Sequence, residues 1–136
     1  MISLIVPCYN EQESLPIFYD EVTKVVRNMG VEYELLLVND GSKDKTLEIM
    51  RELSAKDEHV KYHSFSRNFG KEAAMYAGFC NAKGNYVAVM DADMQDPPEL
   101  LPKMLEILET EPYDSVATRR AVSYTHLRAH ETCADL

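Results

Sequence analysis

The stretch NYVAVMDADMQDPPEL (residues 85–100) decides how this chain is read. Residues 86–90 form a solid apolar run, the pattern of a strand covered on both faces. It runs straight into Asp91, Asp93 and Asp96. Two prolines follow, and then a helical stripe of Leu101, Met104, Leu105 and Leu108. Carboxylates crowded at a strand tip repel one another, so a counter-charge has to offset them. In extended or turn geometry, residues i and i+2 can point to one side. Asp93 and Gln95 then present two oxygens together, with Asp91 close by. Hard cations such as Mg2+ or Mn2+ take such oxygens, and Mg2+ usually keeps only one or two protein carboxylates. Asp93 and Gln95 are therefore the candidate metal ligands. Asp91 and Asp96 have a second reading as caps of the proline-led helix, and for Asp96 the cap is preferred.

Outward from this stretch, two periods alternate. Residues 2–6 and 33–38 are solid apolar runs, and 60–65 is a shorter one. Helical spacing occupies 14–28, 45–56, 71–82 and 98–109, and Gly30 is placed to close the first of these helices. A fifth strand is expected over 113–118. The order β-α-β-α-β-α-β-α-β predicts an α/β fold, a mostly parallel sheet with helices on both faces. Ligands of open sheets of this kind bind outside the carboxyl ends of the strands. Residues 7–11, 39–43, 66–70 and 91–96 should therefore converge.

These segments carry most of the distinctive chemistry. Asp40 ends a buried strand and can accept hydrogen bonds from a base N–H or a ribose hydroxyl. Ser42 and Asp44 can cap the following helix, with Asp44 the stronger candidate. Pro7 turns the chain, Tyr9 offers a ring for stacking, and Glu11 offers an acceptor. Asn10 or Ser14 can start the first helix. Arg67 and Lys71 place cations beside a helix N-terminus, a favourable setting for an anion. Arg119 and Arg120 could also meet phosphate. GSKDKT matches neither the P-loop nor a G-x-G-x-x-G fingerprint.

The 136 residues suit one domain. A net charge of −9 argues against a general nucleic-acid binder and against broad attraction to anionic lipid. Three cysteines without C-x-x-C spacing read as reduced thiols of a cytoplasmic protein. No signal peptide and no apolar run of membrane-spanning length is evident. After residue 120 the periodicity is lost. Residues 122–132 (VSYTHLRAHET) resemble translated sequencing adaptor, and 121–136 are read as a non-native tail. His126 and His130 lie four apart, but HLRAH lacks the glutamate of a metalloprotease H-E-x-x-H helix.

Four segments, LIVPCYNEQESL, LLLVNDGSKDKT, SRNFGKEAAMYAGF and VMDADMQDPPEL, resemble the signature segments of the family 2 glycosyltransferases. Within these they are most similar to the dolichol-phosphate mannosyltransferase and bactoprenol (undecaprenyl-phosphate) glucosyltransferase branch. The resemblance spans residues 1–120 and implies the N-terminal, nucleotide-sugar-binding part of a GT-A (Rossmann-like) catalytic domain. It implies a nucleoside-diphosphate sugar donor of UDP-glucose or GDP-mannose type, a polyprenyl phosphate acceptor, and Mg2+ or Mn2+. By position, Pro7, Tyr9, Asn10, Glu11, Val38, Asp40, Lys71, Asp91, Ala92, Asp93 and Arg119 would bind the nucleotide sugar. Asp91 and Asp93 would be catalytic, and Asp93 and Gln95 would hold the metal. It also implies inversion, and a parent protein at the cytoplasmic face of the inner membrane. Homo-oligomerisation is left open. The family's acceptor side would lie beyond these residues. Two alternatives stand beside this reading: a nucleotide-binding fragment without turnover, and a haloacid-dehalogenase-type phosphotransferase with Asp91 as nucleophile.

Overall fold

The computed structural model describes residues 1–93 and 97–110, and the backbone of 116–117 and 134–135. Strands β1 (Ile2–Cys8), β2 (Tyr33–Asn39), β3 (Val60–Ser64) and β4 (Tyr86–Val89) form one parallel sheet in the order β3-β2-β1-β4. Between them lie α1 (Leu15–Met29), α2 (Thr46–Lys56) and α3 (Lys71–Asn81). The expected fold class is borne out. The ends of these elements lie within two residues of expectation.

The chain's contacts divide it into two units, Met1–Pro98 and Glu99–Leu136. The second unit holds α4 (Leu101–Thr110), entered through a 3-10 turn at Pro98–Leu100. It also holds a two-stranded parallel pair, β5 (Val116–Ala117) with β6 (Ala134–Asp135). The fifth strand thus pairs with β6 and not with the four-stranded sheet. Its partner comes from a stretch with no readable periodicity. Gln95, Asp96, Arg119, Arg120, His126, His130 and Cys133 lie outside the described residues, as does nearly all of the 121–136 tail.

In the first unit, β2 is buried from end to end, and Leu4, Ile5 and Val6 of β1 are inaccessible. These are the solid apolar runs of central strands. Right-handed crossovers place α1 and α2 on one face and α3 on the other. Accordingly α1 touches α2, and α3 packs on β1 and β2. The stripe Leu15, Phe18, Val22 and Val26 of α1 is fully buried. Each such side chain contributes about 1.5–3 kcal/mol over exposure. Gly30 closes α1 in a left-handed conformation at φ 69°. On the opposite face, α3 lies close to the sheet because it offers small residues. A Cβ at Gly78 would stand 2.3 Å from Cγ2 of Ile5.

Candidate active site at the carboxyl end of the sheet

The strand order turns back at β1: successive strands run outward to β3, and β4 then returns to β1's other side. Such a reversal opens a crevice at the carboxyl ends of the strands. Three hydrogen bonds bring the four strand ends together: Asp40 N to Cys8 O (2.9 Å), Phe65 N to Asn39 O (2.9 Å) and Met90 N to Ile5 O (2.9 Å).

The loops after β1 and β2 interlock. Asn10 N donates to Ser42 Oγ (2.9 Å), and Lys43 N donates back to Asn10 Oδ1 (2.8 Å). Glu11 N donates to Thr46 Oγ1 (2.8 Å). Gln12 N donates to Asp44 Oδ2 (3.2 Å), and Lys45 N donates to Gln12 Oε1 (3.0 Å). Asn10 takes φ 53°, an excursion that asparagine tolerates better than most residues. Asp44 has both expected and unexpected work. Its Oδ1 accepts from Thr46 N (2.9 Å) at the start of α2, and its Oδ2 reaches the other loop. Burial would raise the Asp44 carboxyl, but the hydrogen bonds from Thr46 and Gln12 outweigh it and hold the group below its ordinary value. Ser14 precedes α1 without capping it; its hydroxyl donates to Glu11 instead.

The loop after β3 is fastened to β2 through Asp40, which is 4% exposed. Its Oδ1 accepts from Phe69 N (2.8 Å) and Gly70 N (3.3 Å), and its Oδ2 accepts from Asn68 Nδ2 (3.2 Å). Asn68 Nδ2 also reaches the Asp40 carbonyl (3.1 Å). Gly41, at φ 70°, lets the two backbones meet: a Cβ there would lie 2.2 Å from the carbonyl carbon of Arg67. Asn68 escapes a reading of the sequence; its position just before Phe69–Gly70 at a helix start is the one signal it offers. Arg67 lies over the Phe69 ring, 4.6 Å from its centroid.

At the tip of β4, Lys71 Nζ pairs with Asp91 Oδ1 at 2.8 Å. Lys71 is the first residue of α3, so the β3 and β4 ends meet here. Cys8 is buried nearby. Its thiol is pushed far above its ordinary value, first by burial and then by the charges of Glu11 and Asp91. Among the residues proposed from sequence, Tyr9 is exposed at 43%, Asp93 is exposed, and Pro7 and Glu11 are partly covered. Val38 and Ala92 are buried, and Val38 belongs to the core of β2. Among the described residues, no cluster of three or more His, Cys, Asp or Glu closes a metal cage. Of the two expected metal ligands, Asp93 is among the described residues, and a carboxylate donor suits a hard divalent cation whose remaining positions go to water and phosphate.

The fold matches solved GT-A glycosyltransferases. One is the mannosyltransferase PcManGT from Pyrobaculum calidifontis, solved with GDP-Man and Mn2+, at TM-score 0.75 and 21% identity, covering 88% of this chain and 35% of that one. In sequence, the chain is 45% identical over 105 residues to a prophage bactoprenol glucosyl transferase homolog of Escherichia coli, covering 77% of this chain and 34% of that protein. It is 40% identical over 121 residues to an undecaprenyl-phosphate 4-deoxy-4-formamido-L-arabinose transferase of Photorhabdus laumondii, covering 88% and 37% respectively. The chain therefore spans about a third of the length of these relatives. The family model for glycosyl transferase family 2 matches residues 3–130, and the chain belongs to that family.

Proposed function

We propose that this chain forms the donor side of an enzyme that moves a sugar, with inversion, from a nucleoside-diphosphate sugar to a polyprenyl phosphate at the cytoplasmic face of a membrane. The observation that carries the reading is the convergence at the β1/β4 reversal: Lys71 and Asp91 meet there, Asp93 stands two residues on, and the interlocked loops bearing Tyr9, Glu11 and Asp40 flank them. The relatives named for bactoprenol and undecaprenyl phosphate support the acceptor class. Among the described residues, no helix is long and apolar enough to cross a membrane.

The barrier to such a transfer lies in expelling a diphosphate from the anomeric carbon. Tyr9 would stack on the base, Glu11 would accept from ribose hydroxyls, and Asp40 would add an acceptor beside its hold on the loop. Pro7, Asn10, Val38 and Ala92 would line the donor, and Arg119 is a further candidate cation for its phosphates. Lys71 would stabilise negative charge on the departing diphosphate. Asp93 and Gln95 would hold Mg2+ or Mn2+, which when bound supplies further charge neutralisation. Asp91 lies beside them on the donor side. A lipid phosphate is already anionic near neutral pH, so it needs little help from a general base.

UDP and GDP affinities, measured with Mn2+ and again in EDTA, test the donor site. Chelation and Asp93→Ala should each weaken binding by about tenfold or more, as loss of metal-site groups commonly does. Affinity unchanged in both overturns the metal assignment. Sugar transfer onto a polyprenyl phosphate by the full-length polypeptide tests the acceptor. Because the chain spans only a third of its relatives, a second reading is binding without turnover. Assays of donor hydrolysis and transfer beside affinity separate the two. Family membership sets aside the dehalogenase-type alternative, in which Asp91 would be phosphorylated.

A further inference from the structure

We propose that Lys71 is a resident counter-cation of the β4 carboxylates, which it releases to the diphosphate when a donor arrives, so that a divalent cation binds this strand tip weakly until nucleotide is present. The inference rests on the donor-site reading above. Lys71 Nζ lies 2.8 Å from Asp91 Oδ1, which already offsets part of the repulsion expected between Asp91 and Asp93. The backbone that launches Lys71 is fixed, because Asp40 holds the N–H groups of Phe69 and Gly70 immediately before it. The side chain itself is 59% exposed, and its partner Asp91 is 29% exposed. The origin is thus anchored while the ammonium can swing. A lysine suits such a transfer of partners, being a compact point charge on a flexible stem with three rotatable donors.

The consequence is a competition of charges. A cation arriving alone meets a tip that Lys71 has partly neutralised. A diphosphate supplies a stronger set of anionic oxygens, draws the ammonium away from Asp91, and leaves the carboxylates to attract the metal. Lys71 therefore orders the binding events as well as contacting phosphate.

Mn2+ binding to the 136-residue chain, followed by electron paramagnetic resonance without nucleotide, tests this. Lys71→Met should bind Mn2+ about two- to fivefold more tightly than wild type, the scale of a half-exposed ion pair. Lys71→Gln should do the same. Lys71→Arg and Lys24→Met, the latter on the surface of α1, should match wild type. UDP or GDP alone should bind Lys71→Met more weakly. If nucleotide binds wild type in the presence of Mn2+ but Lys71→Met leaves the affinity for Mn2+ alone unchanged, the proposal is overturned and the donor site stands. If neither UDP nor GDP binds wild type with Mn2+, the donor-site reading fails and the proposal falls with it.

Discussion

Strand β2 ends in a buried carboxylate at each pole, and the two do different work. Near its start, Glu34 is 2% exposed and accepts from Ser3 Oγ (2.6 Å) and Lys83 N (2.7 Å). Ser3 Oγ in turn accepts from Gly84 N (2.8 Å). A Cβ at Gly84 would stand 2.7 Å from the Met1 carbonyl oxygen, so the turn into β4 is pressed against β1. Beside it, Asp57 gathers Tyr19 Oη (2.7 Å), His59 N (3.0 Å) and the His59 ring (2.8 Å), with Arg27 at 3.5 Å. The amino end is thus knotted by hydrogen bonds among the protein's own groups, centred on two buried carboxylates. At the carboxyl end, Asp40 gathers a similar set of donors, but the loop it holds leads directly to Lys71. The same chemistry, placed at opposite ends of one strand, yields a fastening at one pole and an alignment device at the other.

The contrast between the poles breaks most visibly at Gly41. Ala there would meet the Arg67 backbone and keep a left-handed φ, so Gly41→Ala should cost about 3–5 kcal/mol in urea unfolding. A stable Gly41→Ala chain would mean that the two loops are not locked. Next come the carboxylates themselves. Glu34→Ala leaves the buried Ser3 hydroxyl and the part-buried Lys83 N–H without their acceptor and should cost about 2–4 kcal/mol, with nucleotide affinity of the folded fraction unchanged. Asp40→Ala should cost less, about 1–3 kcal/mol, because its loop is partly open to water, yet it should weaken nucleotide binding. Equal effects of both substitutions on binding would erase the distinction between the poles.

The fold was legible because its main signals are local. Runs of apolar residues named β1, β2 and β4, and 3.6-residue spacing named the helices. The convergence of the four loops followed from topology. The hydrogen bonds between loops did not. That Asn10 answers Lys43, or that Asn68 answers Asp40, depends on contacts across about thirty residues, for which a single sequence carries no period. Ser14 shows the converse. A good capping residue stands at the expected place, but its hydroxyl donates to Glu11 and accepts no helix N–H. The pairing of β5 with β6 was hidden for the same reason, since a partner strand announces itself only in three dimensions.

At the amino end, acid should act through Asp57. Burial would raise this carboxyl, but hydrogen bonds from Tyr19 and His59 outweigh it and hold the group below its ordinary value of 3.8. A depressed carboxyl stabilises the fold above its unfolded value, and that contribution is lost as pH falls through the lower folded value. Thermal melts from about pH 6 to about pH 2 should therefore show a decline in wild type that is shallower in Asp57→Asn. Parallel curves would show that the Asp57 knot does not govern acid stability. The smallest effect concerns the thiols. At about pH 8, near the ordinary thiol value, iodoacetamide should label exposed Cys80 and spare buried Cys8, whose thiol is held protonated. Peptide mass mapping reads both sites, and rapid labelling of Cys8 would show that the site end opens in solution.

The strand order also sets a schedule for synthesis. β1 leaves the ribosome before the other three strands and lies in the interior of the four-stranded sheet, yet its partner β4 is made about eighty residues later. At bacterial or eukaryotic elongation rates this leaves one apolar flank of β1 unpaired for roughly 4–16 seconds, long against the time in which chains collapse. The β1–β2–β3 half can assemble in that interval, with α1 and α2 covering one face. The arrival of α3 and β4 then closes the other face and delivers Lys71 to Asp91 in the same event. The chemical tip of the sheet is thus the last part of it to be assembled, and nascent chains stalled before β4 should be the aggregation-prone species for this protein.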